Sequence, residues 1–118
     1  MEEQEKSTDD GLISIDEFVR TELRVAKVLE AEHHPNADKL LVLKVDVGEE
    51  QPRQVIAGIR SDYEPEELLG RTIIVVANLK PANLRGVESQ GMTLAVRGEE
   101  KILLLTVEGA VAPGTRVT

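Results

Sequence analysis

His33, His34 and Asp38 are the residues whose types most directly suggest catalysis, because imidazole and carboxylate groups bind metals and transfer protons. Adjacent side chains in an extended segment point to opposite sides, so the two imidazoles do not converge. The chain has 2 histidines in all and no cysteine, which leaves too few ligands for a zinc site. We therefore expect no metal site here.

The motifs of other catalytic sites are also missing. The sequence has no glycine-rich phosphate loop and no nucleophile elbow, and its histidines and cysteines are too few for a nucleophilic triad. An enzyme is thus the disfavoured class, and no cofactor is predicted.

A second segment, Asn78–Gly91, is rich in basic and polar residues. It joins two predicted strands through about 14 residues, well above the ~4–6 residue median, and such long connections are usually functional or disordered. Lys80 and Arg85, with Arg97 in the strand that follows, are opposed only by Glu88. Single lysines of this kind are more often solvated surface residues, so the argument for an anionic ligand depends on where the fold places them.

The overall charge argues against a nucleic-acid partner. The 118 residues carry a net charge of −8, from 14 basic and 22 acidic side chains. Residues 1–17, however, hold seven acids and one lysine, a net charge of −6, which leaves −2 for the remaining 101 residues. The near-neutral body weakens long-range attraction of a polyanion without excluding it.

Composition narrows the classes further. Phe18 and Tyr63 are the only aromatic residues, whereas modules that bind single strands without sequence preference need several rings as stacking platforms. The absence of cysteine fits a reducing cytosol. Because the chain starts with acidic residues and its apolar runs are far shorter than the ~20 residues of a membrane helix, we expect a cytoplasmic protein with no signal peptide or membrane contact.

Local patterns predict two short helices and five strands. Ser14–Glu17 matches the capping box and predicts a helix over 15–20, while Pro65 and Gly70 bracket a second one. Alternating or β-branched runs predict strands over 23–32, 41–47, 54–57, 72–78 and 92–97. The first strand changes parity between Val25 and Val28, which predicts a bulge, although a helix also fits that run.

This order of elements predicts an all-β fold with short helices, namely a five-stranded Greek-key barrel of the OB type with a C-terminal extension from about Lys101. An SH3-like barrel or a small sandwich also fits the strand spacing. Residues 1–13 are predicted to be an acidic disordered head and residues 14–118 the OB domain. In OB barrels the loops between strands one and two and between strands four and five flank the ligand face. Here these loops are Glu32–Lys39 and Asn78–Gly91.

The same two loops carry a family resemblance. The blocks His34–Leu40, Asn78–Pro81 and Leu84–Met92 resemble the tRNA-binding OB domain family, as do Leu23–Val25 and the ending Pro113–Thr115. That family forms the C-terminal domain of many methionyl-tRNA synthetases and also occurs as a stand-alone bacterial tRNA-binding protein. Related modules belong to phenylalanyl-tRNA synthetase and to a cytokine precursor of the endothelial monocyte-activating type. The resemblance runs from about residue 15 to residue 117.

The resemblance implies non-catalytic, structure-specific tRNA binding, usually by a homodimer, with an aminoacyl-tRNA synthetase as a partner in cis or in trans. The RNA contacts that it implies are Asn36, Lys39, Lys80, Arg85, Ser89 and Met92. Cationic side chains suit phosphates, and amide and hydroxyl groups suit phosphates and 2′-hydroxyls. A methionine can lie under a base or ribose.

Two of these residues have equally simple structural interpretations. The Ser89 hydroxyl can order a turn, and Met92 shares its parity with Leu94 and Val96 and so fits the core. Gly86 and Gly91 are expected to adopt positive φ. At the level of the whole chain, the alternative function is a dimerisation or protein-interaction module of a synthetase complex whose RNA affinity is incidental.

Overall fold

The fold is a nearly closed, five-stranded antiparallel barrel of the OB type, which confirms the prediction. The computed structural model describes residues 10–118. The barrel sheet has the order β3-β2-β1-β4-β7, and two further hairpins, β5–β6 and β8–β9, lie outside it. The elements are α1 (Ile15–Phe18), β1 (Leu23–His33), β2 (Leu41–Asp46), β3 (Arg53–Ala57), α2 (Pro65–Leu68), β4 (Thr72–Val76), β5 (Ala82–Leu84), β6 (Val87–Ser89), β7 (Met92–Thr93), β8 (Ala95–Arg97) and β9 (Ile102–Leu104).

The central strand β1 is long because it pairs with β2 through its second half and with β4 through its first half. Its pairing register with β2 shifts between Val28 and Glu30, so the predicted bulge is present and lets the strand coil around the barrel. The predicted alternation in β2 also holds: Leu41, Leu43 and Val45 are fully buried, and Val47, directly after the strand, is buried on the same side.

The barrel closes through side chains as well as backbone. The amide of Gln90 donates to the carbonyl of Gln54 at 2.7 Å, and the amide of Gln54 donates to Oε1 of Gln90 at 2.9 Å. These bonds join β3, one edge of the sheet, to the segment just before β7, the other edge. The connection that precedes β7 therefore seals the barrel.

Both helices follow the predicted signals. Ser14 and Glu17 form a reciprocal capping box at α1, and Pro65 opens α2, after which Gly70 turns the chain with φ +80°. No helix within residues 10–118 is long and apolar enough to cross a membrane.

The segment after Gly91 differs from the prediction. The run over 92–97 is divided into β7 and β8, because the Leu94 amide bonds back to the carbonyl of Ile74 while β8 pairs with β9. Arg97 therefore belongs to an outer hairpin and not to the strand that closes the barrel.

The C-terminal segment completes the free edge of β1. The amide of Gly114 donates to the Val25 carbonyl at 2.7 Å, and the Val25 amide donates to the Thr115 carbonyl at 2.9 Å. On this edge of β1, β2 pairs with the strand from Lys27 onward, and the C-terminal segment pairs with the part that precedes Lys27. It crosses the chain at Gly48, where the two glycine backbones touch.

The predicted acidic head, residues 1–13, lies largely outside the described residues. Of its members, only residues 10–13 are described, and they are exposed.

Candidate nucleic-acid interface

The long connection Asn78–Gly91 is folded around the β5–β6 hairpin. Its turn is Arg85-Gly86, with φ +54° and +93°, the two left-handed residues of a tight hairpin turn. The amide of Gly86 donates to Oδ1 of Asn83 at 2.9 Å. Arg85 is the only non-glycine residue of positive φ in the described chain, and the turn holds its side chain out from the surface.

The loop between β1 and β2 closes on itself. The His34 amide donates to the Leu40 carbonyl at 3.1 Å, and Arg60, which follows β3, donates through its backbone amide to the Lys39 carbonyl at 3.3 Å. The Arg60 guanidinium also donates to the Ala37 carbonyl at 3.3 Å. Lys39 is thereby held at the rim of the loop with its side chain exposed.

Hydrogen bonds join this loop to the β5–β6 hairpin. His34, only 2% exposed, places its Nε2 atom 2.8 Å from the Leu84 carbonyl oxygen. The Asn36 side-chain amide donates to the Arg85 carbonyl at 3.3 Å. The two loops that flank the predicted ligand face therefore form one connected surface.

The groove between these loops brings three of the predicted site residues together. Asn36, Lys39 and Arg85 line a groove of about 430 Å³, along with Ala37, Asp38 and Leu40. Within residues 10–118 no carboxylate forms an ion pair with Lys39 or Arg85. Both cations are thus available to an anionic ligand.

Lys80 and Met92 lie outside this groove. Lys80 is exposed between Leu79 and Pro81, which line a second groove of about 350 Å³. Met92 is 47% exposed on β7, so it is not a core residue despite its parity with Leu94. Both side chains are accessible, and neither lines the Asn36–Lys39–Arg85 groove.

Ser89 has the structural role that its alternative interpretation describes. It is 3% exposed, and its hydroxyl accepts from the Ile56 amide and donates to the Gly91 carbonyl, both at 2.9 Å. A hydroxyl committed in this way orders the β6–β7 connection and closes the barrel against β3. We therefore omit Ser89 from the interface proposed below.

The two adjacent histidines lie in different surroundings. No group of three His, Asp or Glu side chains in the described part of the chain is placed to hold a metal ion. His33 is exposed and His34 is buried, as expected for neighbours that point to opposite sides.

Sequence reasoning missed two contributors to this surface, Arg60 and the buried His34. Arg60 follows β3, far from the loop in sequence, and only the barrel brings it beneath Ala37 and Lys39. No local pattern could have identified it. His34 belongs to the His34–Leu40 block that carries the family resemblance, but its burial depends on the β5–β6 hairpin.

A comparison with known protein families identifies the family of this chain. Residues 23–116 match the family model described as "Putative tRNA binding domain". The chain belongs to the tRNA-binding domain family. The matched range contains every barrel strand, both loops of the groove and the C-terminal segment on β1.

Curated relatives of this tRNA-binding domain include methionine–tRNA ligases. The chain is 54% identical over 112 residues to that of Thermotoga maritima, covering 95% of this chain and 18% of the relative. It is 50% identical over 105 residues to that of Thermococcus kodakarensis, covering 89% of this chain and 14% of the relative. The domain thus spans less than a fifth of the length of these two relatives.

Solved structures with the same fold match over nearly their whole length. A methionyl-tRNA synthetase-related protein from Pyrococcus horikoshii superposes with a TM-score of 0.83 at 40% identity, covering 91% of this chain and 98% of that one. The chaperone CsaA of Bacillus anthracis gives a TM-score of 0.81 at 28% identity, covering 92% and 100%. The fold therefore occurs both as a small separate chain and within long ligases.

Proposed function

We propose that this tRNA-binding domain holds tRNA without catalysis, through the groove formed by Asn36, Lys39 and Arg85, with the exposed Lys80 and Met92 as further contacts outside that groove. The observation that carries the proposal is the hydrogen-bonded junction of the two loops, which sets Lys39 and Arg85, neither of them ion-paired to a carboxylate of residues 10–118, around one groove. In this proposal the domain serves a methionyl-tRNA synthetase, either as part of it or as a separate chain in the cytoplasm.

The chemistry of the groove suits recognition of backbone and shape. Lys39 and Arg85 would neutralise phosphates, and the Asn36 amide, which has one N–H committed to Arg85, would pair with a phosphate or 2′-hydroxyl. Such contacts register the form of an RNA and carry little base information. The net charge of −8 makes general polyanion attraction weak, so fit supplies the selectivity.

Titration of tRNA across a salt series tests the proposal. Arg85→Asn should weaken binding by about tenfold, because a charge-assisted contact is lost while asparagine still suits the left-handed turn. Lys39→Ala and Lys80→Ala should each have smaller effects. Each variant should also make the slope of log K against log salt shallower by about one.

Lys27→Ala is the matched control, since it removes the same charge from β1 at a different groove. It should leave tRNA affinity within about twofold, because exposed charges at a distance are screened. A denatured tRNA transcript should compete poorly. A folded protein that fails to bind tRNA at low salt would overturn the proposal and favour a protein-interaction module.

We also propose a homodimer, formed through a terminal patch made of Ile15, Phe18, Val19 and Val117. Ile15, Phe18 and Val19 are 72%, 49% and 51% exposed, so three apolar side chains of this short segment face solvent together. The Arg116 guanidinium donates to the Val19 carbonyl at 3.1 Å, which makes α1 and the C-terminal segment one continuous surface. A second copy of the same apolar patch is the proposed occupant, because a two-fold interface is self-complementary.

Phe18→Glu should make the protein monomeric and weaken tRNA binding by about tenfold, because a dimer presents two grooves to one RNA. Mass measurement of the free protein and tRNA titration give the two readouts. Leu69→Glu, at a leucine that is 53% exposed beside α2, is the control and should change neither. An obligate monomer that binds tRNA as tightly as the parent protein would contradict this proposal.

A further inference from the structure

His34 is a buried polar side chain whose two ring nitrogens both have partners. Nδ1 lies 2.9 Å from the backbone amide nitrogen of Asn36, and Nε2 lies 2.8 Å from the carbonyl oxygen of Leu84. The first partner belongs to the loop between β1 and β2, and the second belongs to the β5–β6 hairpin. A single imidazole therefore bridges the two loops of the groove.

These partners define the state of the ring. A backbone amide can only donate, so Nδ1 accepts and carries no proton. A carbonyl oxygen can only accept, so Nε2 carries the proton and donates to Leu84. The neutral Nε2–H imidazole satisfies both bonds at once, and neither nitrogen has a lone pair left for a metal ion.

The bridge ends one residue before the strained turn. Leu84 is followed by Arg85, whose positive φ is disfavoured for an arginine. The backbone amide of Asn36 donates to His34, and the side-chain amide of Asn36 donates to the Arg85 carbonyl. The Arg85 backbone is thus fixed by two connected bonds that originate in the loop holding Lys39.

We propose that His34 is a positioning residue for tRNA binding, which fixes Arg85 relative to Lys39 before the RNA arrives. The inference rests on the proposed function of the groove. Without the bridge the hairpin would have to be ordered as the RNA binds, and that ordering opposes binding. His34 itself is buried and does not contact the RNA.

Two substitutions of His34 each retain a different one of the two hydrogen bonds that the imidazole makes. The amide nitrogen of glutamine reaches about as far as Nε2 and can donate to Leu84, whereas the side-chain oxygen of asparagine takes the place of Nδ1 and can only accept from Asn36. Both variants are neutral and each retains one bond. His34→Gln preserves the bridge between the loops, and His34→Asn preserves only the bond within its own loop.

The experiment is tRNA titration of the full chain, with thermal unfolding measured in parallel. His34→Asn should weaken binding by about tenfold with an unchanged salt slope, since every cation remains and only the order of the hairpin is lost. His34→Gln should stay within about threefold of the parent protein, while both variants lose a similar amount of thermal stability. Hydrogen exchange at the Leu84 to Gly86 amides should rise in His34→Asn alone.

Equal affinity for the two variants, or losses of affinity that follow stability alone, would overturn the inference. The Arg85→Asn titration keeps the two proposals separable. If Arg85→Asn weakens binding while His34→Asn does not, the groove is the interface and the bridge is not needed. If neither variant changes binding, the groove proposal and this inference fail together.

Discussion

Replacing Gly114 with alanine should lower the free energy of unfolding by about 3 kcal/mol or more. Its φ is +92°, where an L side chain is disfavoured by about 1–2 kcal/mol. A Cβ there would also lie 2.7 Å from the Val47 carbonyl oxygen and 2.8 Å from the Gly48 Cα. Backbone atoms cannot rotate aside, so the C-terminal segment would have to lift from β1.

Thermal and urea unfolding measure this effect, and the melting temperature should fall by about 12 °C or more for a domain of this size. Gly48→Ala should behave alike, because its Cβ would lie 2.9 Å from the Gly114 Cα. The double variant should lose less stability than the sum of the losses of the two single variants, because both substitutions disrupt the same backbone crossing. Gly109→Ala, whose Cβ would meet nothing within 4 Å, is the control; equal stability of Gly109→Ala and Gly114→Ala would refute the role of the crossing.

Replacing Arg53 with methionine should cost about 3 kcal/mol of stability, because it leaves several polar groups without partners. The guanidinium donates to the Ala77 carbonyl, to the Gln90 carbonyl at 3.2 Å and to both oxygens of Glu49 at 2.7 and 2.8 Å. It thereby ties β3 to the end of β4 and to the connection that seals the barrel. Chemical unfolding gives the measurement.

Arg71→Met is the control. Arg71 is exposed, and its side chain donates one hydrogen bond, to the Glu67 carbonyl, and contacts the Tyr63 ring. Its effect should stay within about 1 kcal/mol. Loss of the same stability from both variants would show that Arg53 has no special part in closure.

The Arg53–Glu49 pair also makes stability depend on pH. The hydrogen bonds from Arg53, and then its charge, hold the pKa of the Glu49 carboxyl below the ordinary value of 4.5. A depressed pKa in the folded state stabilises the protein above that value and loses its contribution as the pH falls through the folded pKa. The acid-induced decline in stability below about pH 4.5 should therefore be shallower in Arg53→Met than in the parent protein.

The features that sequence patterns predicted are those that depend on neighbours along the chain. The Ser14–Glu17 capping box, the alternation that buries Leu41 and Leu43, and the glycines of positive φ at 86 and 91 each express a local preference. Together with the order of the elements, they sufficed for the OB barrel. The loops of the groove followed from that topology and from the family resemblance.

The features that were missed depend on contacts between distant segments. The bonds of Arg53 to Ala77 and Gln90, the bridge from His34 to Leu84 and the place of Arg60 under Lys39 all join residues 20 or more positions apart. A polar side chain with such partners looks like a surface residue in the sequence. For Ser89 the sequence left RNA contact and the ordering of a turn both open, and its bond to the Ile56 amide likewise joins distant segments.

The pairing of the C-terminal segment with β1 has a consequence for biogenesis. Arg24 and Gly114, which are hydrogen-bonded, are 90 positions apart, and contacts of such separation form slowly because a long loop must close first. On the ribosome, one edge of β1 near Val25 stays open until residues 114–117 have emerged. An open strand edge invites pairing with other nascent chains. Among the barrel strands, β1 is thus synthesised first and completed last.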